Sequence, residues 1–193
     1  MEKGIAPTGY RLPAGTRLGA VRLQVADLDR SLAYYVGVLG LRVLASSADG
    51  ATLGAPGSDD ALVVLHAVPG TRPVPRPGTF GLYHFAILLP DRASLGRFVS
   101  HLWAMGVQAG MSDHEVSEAI YLTDPDGHGI EIYADRDRAT WDGRVAELMG
   151  TFALDAPDLL AARVAPFDGL PTGTTMGHVH LRVRDIPATV RFH

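Results

Sequence analysis

The stretch Leu82-Tyr83-His84-Phe85-Ala86-Ile87-Leu88-Leu89-Pro90 decides how the rest of the chain is parsed. Apolar residues alternate around one imidazole, the period of a strand that keeps one face in a core. A helical pattern takes over near Asp91. The same cadence occurs twice more. Gly19–Asp27 precedes Ser31-Leu32-Ala33-Tyr34-Tyr35, and Gly177–Asp185 precedes Ala188-Thr189-Val190-Arg191-Phe192-His193. A strand leading into an amphipathic helix, met three times, is an internal repeat. The second and third copies carry His84 and His178 where the first carries Ala20.

Each copy extends outward from its strand. In the first, residues 18–27 form a strand. Leu28, Leu32, Tyr35 and Leu39, at three- and four-residue steps, predict a helix over 27–39 that Gly40 stops. Three short strands follow at 41–46, 51–53 and 61–68, broken by Asp49-Gly50 and Gly57-Ser58-Asp59. Residues 69–77 are a proline-rich connector. The second copy repeats the order: a strand at 82–89, a helix from Arg92 to Met105 ended by Gly106, and strands at 107–111, 119–122 and 129–133. Trp103 and Met105 are expected in its core, and Asp124-Pro125-Asp126-Gly127 is a tight turn.

The domain organisation follows. Residues 1–17 are an amino-terminal arm, 18–135 a first module of two βαβββ units, and 136–176 a linker packed on the surface. A helix starts within that linker at Asp155, with Pro157 in its first turn. Residues 177–193 open a second module, expected to be truncated because the sequence ends inside its helix.

Composition narrows the function. The chain has 193 residues, 47% hydrophobic and 20% charged, with a formal net charge of −4 and no cysteine. It can bury a core. Nothing in its charge suggests a nucleic-acid footprint. Thiolate metal sites, disulfides and cysteine nucleophiles are excluded. No apolar run approaches the ~20 residues of a membrane span, so a membrane partner is not expected and a cytoplasmic location is.

The repeat, the Tyr83-His84-Phe85-Ala86 strand start and Asp124-Pro125-Asp126-Gly127-His128-Gly129-Ile130-Glu131 resemble the vicinal oxygen chelate superfamily. That superfamily includes glyoxalase I, extradiol dioxygenases, fosfomycin-resistance thiol transferases and bleomycin-binding proteins. Leu82–Asp91, Val116–Tyr121 and Glu131–Arg136 are similar to its catechol-2,3-dioxygenase-like branch. The resemblance implies an α+β fold of tandem βαβββ units forming half-barrel cups, with a metal held in the cup.

In such proteins the metal ligands are a residue on the first strand of one unit, and a His on the first strand plus a Glu on the last strand of the other. His84 and Glu131 match the second and third. Ala20, at the place of the first, cannot bind metal. His178 aligns with Ala20 one module later, so the resemblance implies that unit two closes its cup with unit three and brings His84, Glu131 and His178 together. By pattern alone, a single His on an apolar strand is more often a hydrogen-bonded core residue. Glu131 between Ile130 and Ile132 reads equally as inward or solvent-facing.

The resemblance also implies Tyr121 as a substrate-orienting phenol and His114 as an acid–base group, against core and surface-loop readings. His180 shares a face with His178 and is expected in the pocket wall. His66, His101 and His128 are assigned to strand, helix surface and turn. The implied activity is an extradiol ring-cleaving dioxygenase using Fe(II), with Mn(II) or another divalent metal as alternatives. Its partners would be a small aromatic diol and O2, and a homodimer is compatible with it. Glyoxalase-type isomerisation, thiol transfer and metal-free binding, as in resistance proteins, are the competing functions. The two His and one Glu weigh against isomerisation and metal-free binding.

Overall fold

The computed structural model describes residues 12, 13, 15–73 and 79–192. Most of the arm, residues 74–78 of the connector and His193 lie outside these. The first unit runs β1 (Val21–Val25), α1 (Leu28–Leu32), β2 (Arg42–Ser46), β3 (Gly50–Gly54) and β4 (Ala61–Ala67). The second runs β5 (Gly81–Leu89), α2 (Arg92–Ala104), β6 (Gly110–Asp113), β7 (Ser117–Thr123) and β8 (Gly129–Asp135). Two short helices, α3 (Val145–Leu148) and α4 (Ala156–Ala161), precede β9 (Thr175–Arg182) and α5 (Ile186–Phe192).

The three repeats share one start signal. The carboxylates of Asp27, Asp91 and Asp185 accept from the backbone N–H of Arg30, Ser94 and Ala188, so each strand hands over to its helix through an aspartate N-cap. The first helix departs from a plain α-helix, because Ala33–Val38 form a π-helical turn. Tyr35 and Leu39 are still fully buried, as their spacing predicts. Gly40, at φ +75°, ends the turn in a backbone conformation that a side chain disfavours.

The strands form two sheets, ordered β1-β4-β3-β2 and β6-β7-β8-β5-β9. β9, the first strand of the third repeat, lies antiparallel against β5. Alternation sends Phe85, Ile87 and Leu89 of β5 and Ile130 and Ile132 of β8 to one face. There they join α2 (Leu95, Phe98, Leu102) and the first sheet (Leu23, Val25, Leu53, Leu65) in one core. The other face of the second sheet is left to form a cavity.

The Asp124–Gly127 turn ties the two units together. Asp126 is buried and accepts from Ala26 N, Arg30 Nη2 and Ser31 Oγ, with the arginine at 2.7 Å. Asp124 accepts from Tyr35 Oη at 3.0 Å and from the backbone N–H of His128 at 2.7 Å. Burial alone would raise the Asp124 carboxyl, but the hydrogen bonds from His128 and Tyr35 outweigh it and hold it below its ordinary value.

Three expectations change. Trp103 and Met105 are about half exposed, because the core stripe of α2 is Leu95, Phe98, Val99 and Leu102, and neither residue falls on it. The strand expected at 107–111 is Gly110–Asp113, since pairing with Glu118–Tyr121 of β7 sets its register. The 136–176 segment is more than a surface linker: Leu159 and Leu170 are fully buried in the core. Gly96 makes room for this, since a Cβ there would meet the Leu159 carbonyl at 2.5 Å.

Candidate metal centre and its pocket

Strand register builds the centre. Tyr121 of β7 lies opposite Glu131 of β8, Glu131 beside Ala86 of β5, and Ala86 opposite His178 of β9. One row therefore crosses four strands on the cavity face. His84, two residues from Ala86, shares that face and pairs with His180. Ala86 is the small residue in the row, so the longer side chains on either side converge above it.

The convergence is tight. His84 Nε2 lies 2.9 Å from Glu131 Oε2, His178 Nε2 lies 3.2 Å from the same oxygen, and the two Nε2 atoms are 3.2 Å apart. His84 and Glu131 are buried, whereas the His178 side chain is 43% exposed. Three nitrogen and oxygen atoms this close repel one another unless protons or a cation lie among them. Donors at about 2.1 Å from a metal, 90° apart, stand about 3.0 Å from each other. The observed spacings are those of three donor atoms grouped around one cation. These residues could therefore hold a divalent metal, and they form the cluster with that geometry among the described residues.

The electrostatics agree. Burial would raise the Glu131 carboxyl, but hydrogen bonds from His178 and His84 overcome it and hold the group at about 2, so it is a carboxylate at any working pH. His180 is held below its ordinary value by burial and by the imidazoles of His84 and His178. It packs as pocket wall, with its ring 4.8 Å from His84 and 4.9 Å from Tyr83.

His114 and Tyr121 meet beside the cluster. Tyr121 Oη lies 2.8 Å from His114 Nε2, and His114 Nδ1 lies 2.6 Å from the Gly150 carbonyl. A carbonyl can only accept, so Nδ1 carries the hydrogen and Nε2 of the neutral ring faces the phenol as an acceptor. Burial, and then Glu131, push the Tyr121 hydroxyl well above its ordinary pKa, keeping it a donor. His114 is fixed from two sides. Glu115 turns the chain through φ +66°, and Asp113 pairs with Phe152 to bring Gly150 within reach.

His66, His101 and His128 stand apart from this centre. His128 Nδ1 meets Asp124 Oδ2 at 2.9 Å within the turn, His66 lies on β4 near Asp49, and His101 stacks on Phe167. A cavity of about 1220 Å3 lies over the sheet face, lined by the cluster, His114, Tyr121, Tyr83, Tyr133 and His180. Residues 141–151 form its far wall. Sequence patterning missed these, because an irregular segment has no period to read.

The first unit has no such centre. Ala20 replaces His84, and the row Arg22–Val64–Thr52 occupies the places of Ala86, Glu131 and Tyr121.

Comparison with known proteins agrees with this architecture. Residues 17–132 match the model of the family described as Glyoxalase/Bleomycin resistance protein/Dioxygenase superfamily. The chain belongs to that superfamily. Within it, the chain is 42% identical over 181 residues to a catechol-2,3-dioxygenase of Bacillus subtilis, covering 92% of this chain and 63% of that protein's length. Among solved structures, a glyoxalase/dioxygenase from Nostoc punctiforme matches 68% of this chain and all of its own at TM-score 0.52 and 22% identity. The cppA protein of Streptococcus pneumoniae matches 69% of this chain and 52% of its own at TM-score 0.53 and 16% identity. At these identities the two structures speak for the fold alone. Among the described residues no helix is long and apolar enough to cross a membrane.

Proposed function

We propose that this chain carries the metal site and substrate pocket of an extradiol ring-cleaving dioxygenase, acting on a catechol-type diol and O2. The observation that carries this reading is the convergence of His84 Nε2, His178 Nε2 and Glu131 Oε2 within 3.2 Å of one another at the cavity floor. Fe(II) suits that donor set, and Mn(II) is the alternative. When bound, such a metal supplies a Lewis-acid centre with open positions at which a diol and O2 can be held together.

The protein's own groups do the rest. Tyr121 Oη accepts a hydrogen bond from a diol hydroxyl and orients the ring. As the phenol takes up the proton the diol loses, its own proton passes to His114 Nε2, which already accepts from it, and the Gly150 carbonyl holds the imidazole in the tautomer this needs. Residues 177–193 are, on this reading, the start of a second module whose first strand lends His178 to the first. The similarity to a catechol-2,3-dioxygenase supports the same assignment.

The experiment is anaerobic reconstitution with Fe(II), followed by catechol and O2. A yellow semialdehyde product is expected. A metal-loaded protein inert toward catechols but active in methylglyoxal–thiol or thiol-transfer assays would overturn the dioxygenase assignment.

A further inference from the structure

The cavity has two chemically different ends. At its floor stand the imidazoles, the carboxylate and the phenol described above. Its far wall is apolar. Trp141, Val145, Ala146 and Met149, on and around the single turn of α3, all line it. Val145 is 39% and Met149 45% exposed, so this apolar surface faces the cavity and not the core. The charged side of the same turn, where Arg144 meets Glu147 at 3.1 Å, is turned to solvent. A short amphipathic segment that offers its apolar side to an open cavity marks a place for an apolar ligand group.

Size and charge narrow what that group is. An apolar cavity of about 150 Å3 is enough to hold benzene. The cavity here, at about 1220 Å3, is several times what a bare dihydroxybenzene needs. The charged residues among its described lining are Glu131 and Asp135, with no Lys or Arg among them. An acidic substituent would be repelled. Arg182, a guanidinium close by, stacks on the Tyr83 ring at 4.9 Å.

We propose that residues 141–149 form a subsite for a ring substituent, and that the preferred substrate is a catechol bearing a neutral, bulky apolar group such as an aryl or branched alkyl chain. This rests on the dioxygenase reading for the diol end, but the subsite itself is defined by the far wall. The diol end sits at His84, Glu131 and His178, with Tyr121 beside them. The substituent extends away from the metal centre to pack against Trp141 and Val145.

Two measurements test it. The chain has two tryptophans, Trp103 and Trp141, so a Trp103→Phe background leaves Trp141 as the reporter. In the metal-free protein, 4-phenylcatechol and biphenyl should change Trp141 emission saturably, and catechol should not. In the Fe(II)-loaded protein, kcat/KM for 4-phenylcatechol or 4-tert-butylcatechol should exceed that for catechol by on the order of tenfold or more. Val145→Asp should collapse that ratio toward one. The subsite is overturned if Trp141 emission ignores the aryl probes, or if catechol is turned over as well as the substituted diols. It is also overturned if a carboxymethyl-catechol is preferred, which would point to Arg182. If the loaded protein cleaves no diol at all, the dioxygenase reading falls, and the emission titration still decides the subsite.

Discussion

Replacing Ala86 with leucine probes how the centre is built. Ala86 is fully buried between Glu131 and His178 in the row of paired residues, and the side chains of His84, Glu131 and His178 converge over it. A leucine adds three carbon atoms beneath that point. Overpacking of this kind costs about 1–3 kcal/mol. In a chain of this size each kcal/mol lowers the melting temperature by about 2–4 °C, so a fall of about 2–12 °C is expected. The added carbons also push Glu131 and His178 apart. Metal sites tolerate ligand shifts of only about 0.2 Å, and disturbing the groups that support them typically weakens affinity about 10–100-fold. Ala119→Leu is the control. Ala119 is also fully buried and packs in the same small cluster as Ala86 and Tyr133, but it lies outside the row. It should cost similar stability and leave metal affinity intact. Thermal denaturation of the metal-free proteins, with Mn(II) or Co(II) titrations, reads both effects. If Ala86→Leu binds metal within twofold of the unsubstituted protein, or if Ala119→Leu weakens binding equally, the converging-row argument fails.

Three further outcomes follow from the same geometry. Tyr121→Phe should keep its metal yet lower kcat by at least about tenfold, because the donor facing His114 is lost; an unchanged kcat would remove Tyr121 from the reaction. Asp126→Ala should cost about 1–3 kcal/mol in urea denaturation, since Ala26 N and Ser31 Oγ lose a buried acceptor; no loss would mean that the turn does not latch the units. In the metal-free protein, the Glu131 carboxyl falls from 4.5 to about 2 on folding, so the stability it contributes is full above about 4.5 and is lost as pH falls toward 2. Urea midpoints between pH 5 and pH 2.5 should therefore fall more steeply for the unsubstituted protein than for Glu131→Gln, and equal slopes would refute that assignment.

Much of the fold was legible because the information is local. The alternation around His84, the stripe through Leu28, Leu32, Tyr35 and Leu39, and the Asp124–Gly127 turn each depend on neighbouring residues. Three aspartate N-caps then repeat the same start. What escaped is non-local or aperiodic. The β5–β9 pairing joins residues about ninety positions apart, and periodicity says nothing about which edge a strand finds; it was the family resemblance, with Ala20 unable to contribute and His178 aligned with it one module later, that pointed to His178. The helix through Trp103 and Met105 was placed correctly, but these residues lie off the Leu95–Leu102 stripe and face outward. Residues 136–176 gave no period, yet they supply Leu159 and Leu170 to the core, the carbonyl that orients His114, and Trp141 to the pocket wall.

On the proposed function, one metal is shared by two repeats, with His84 and Glu131 from the second and His178 from the third. Metal titration of the protein beside its His178→Ala variant tests it most directly. One divalent ion per chain is expected for the first and a loss of affinity of at least about 100-fold for the second, with secondary structure unchanged. Equal stoichiometry and affinity in the two proteins would contradict it, because the third repeat would then lend no ligand.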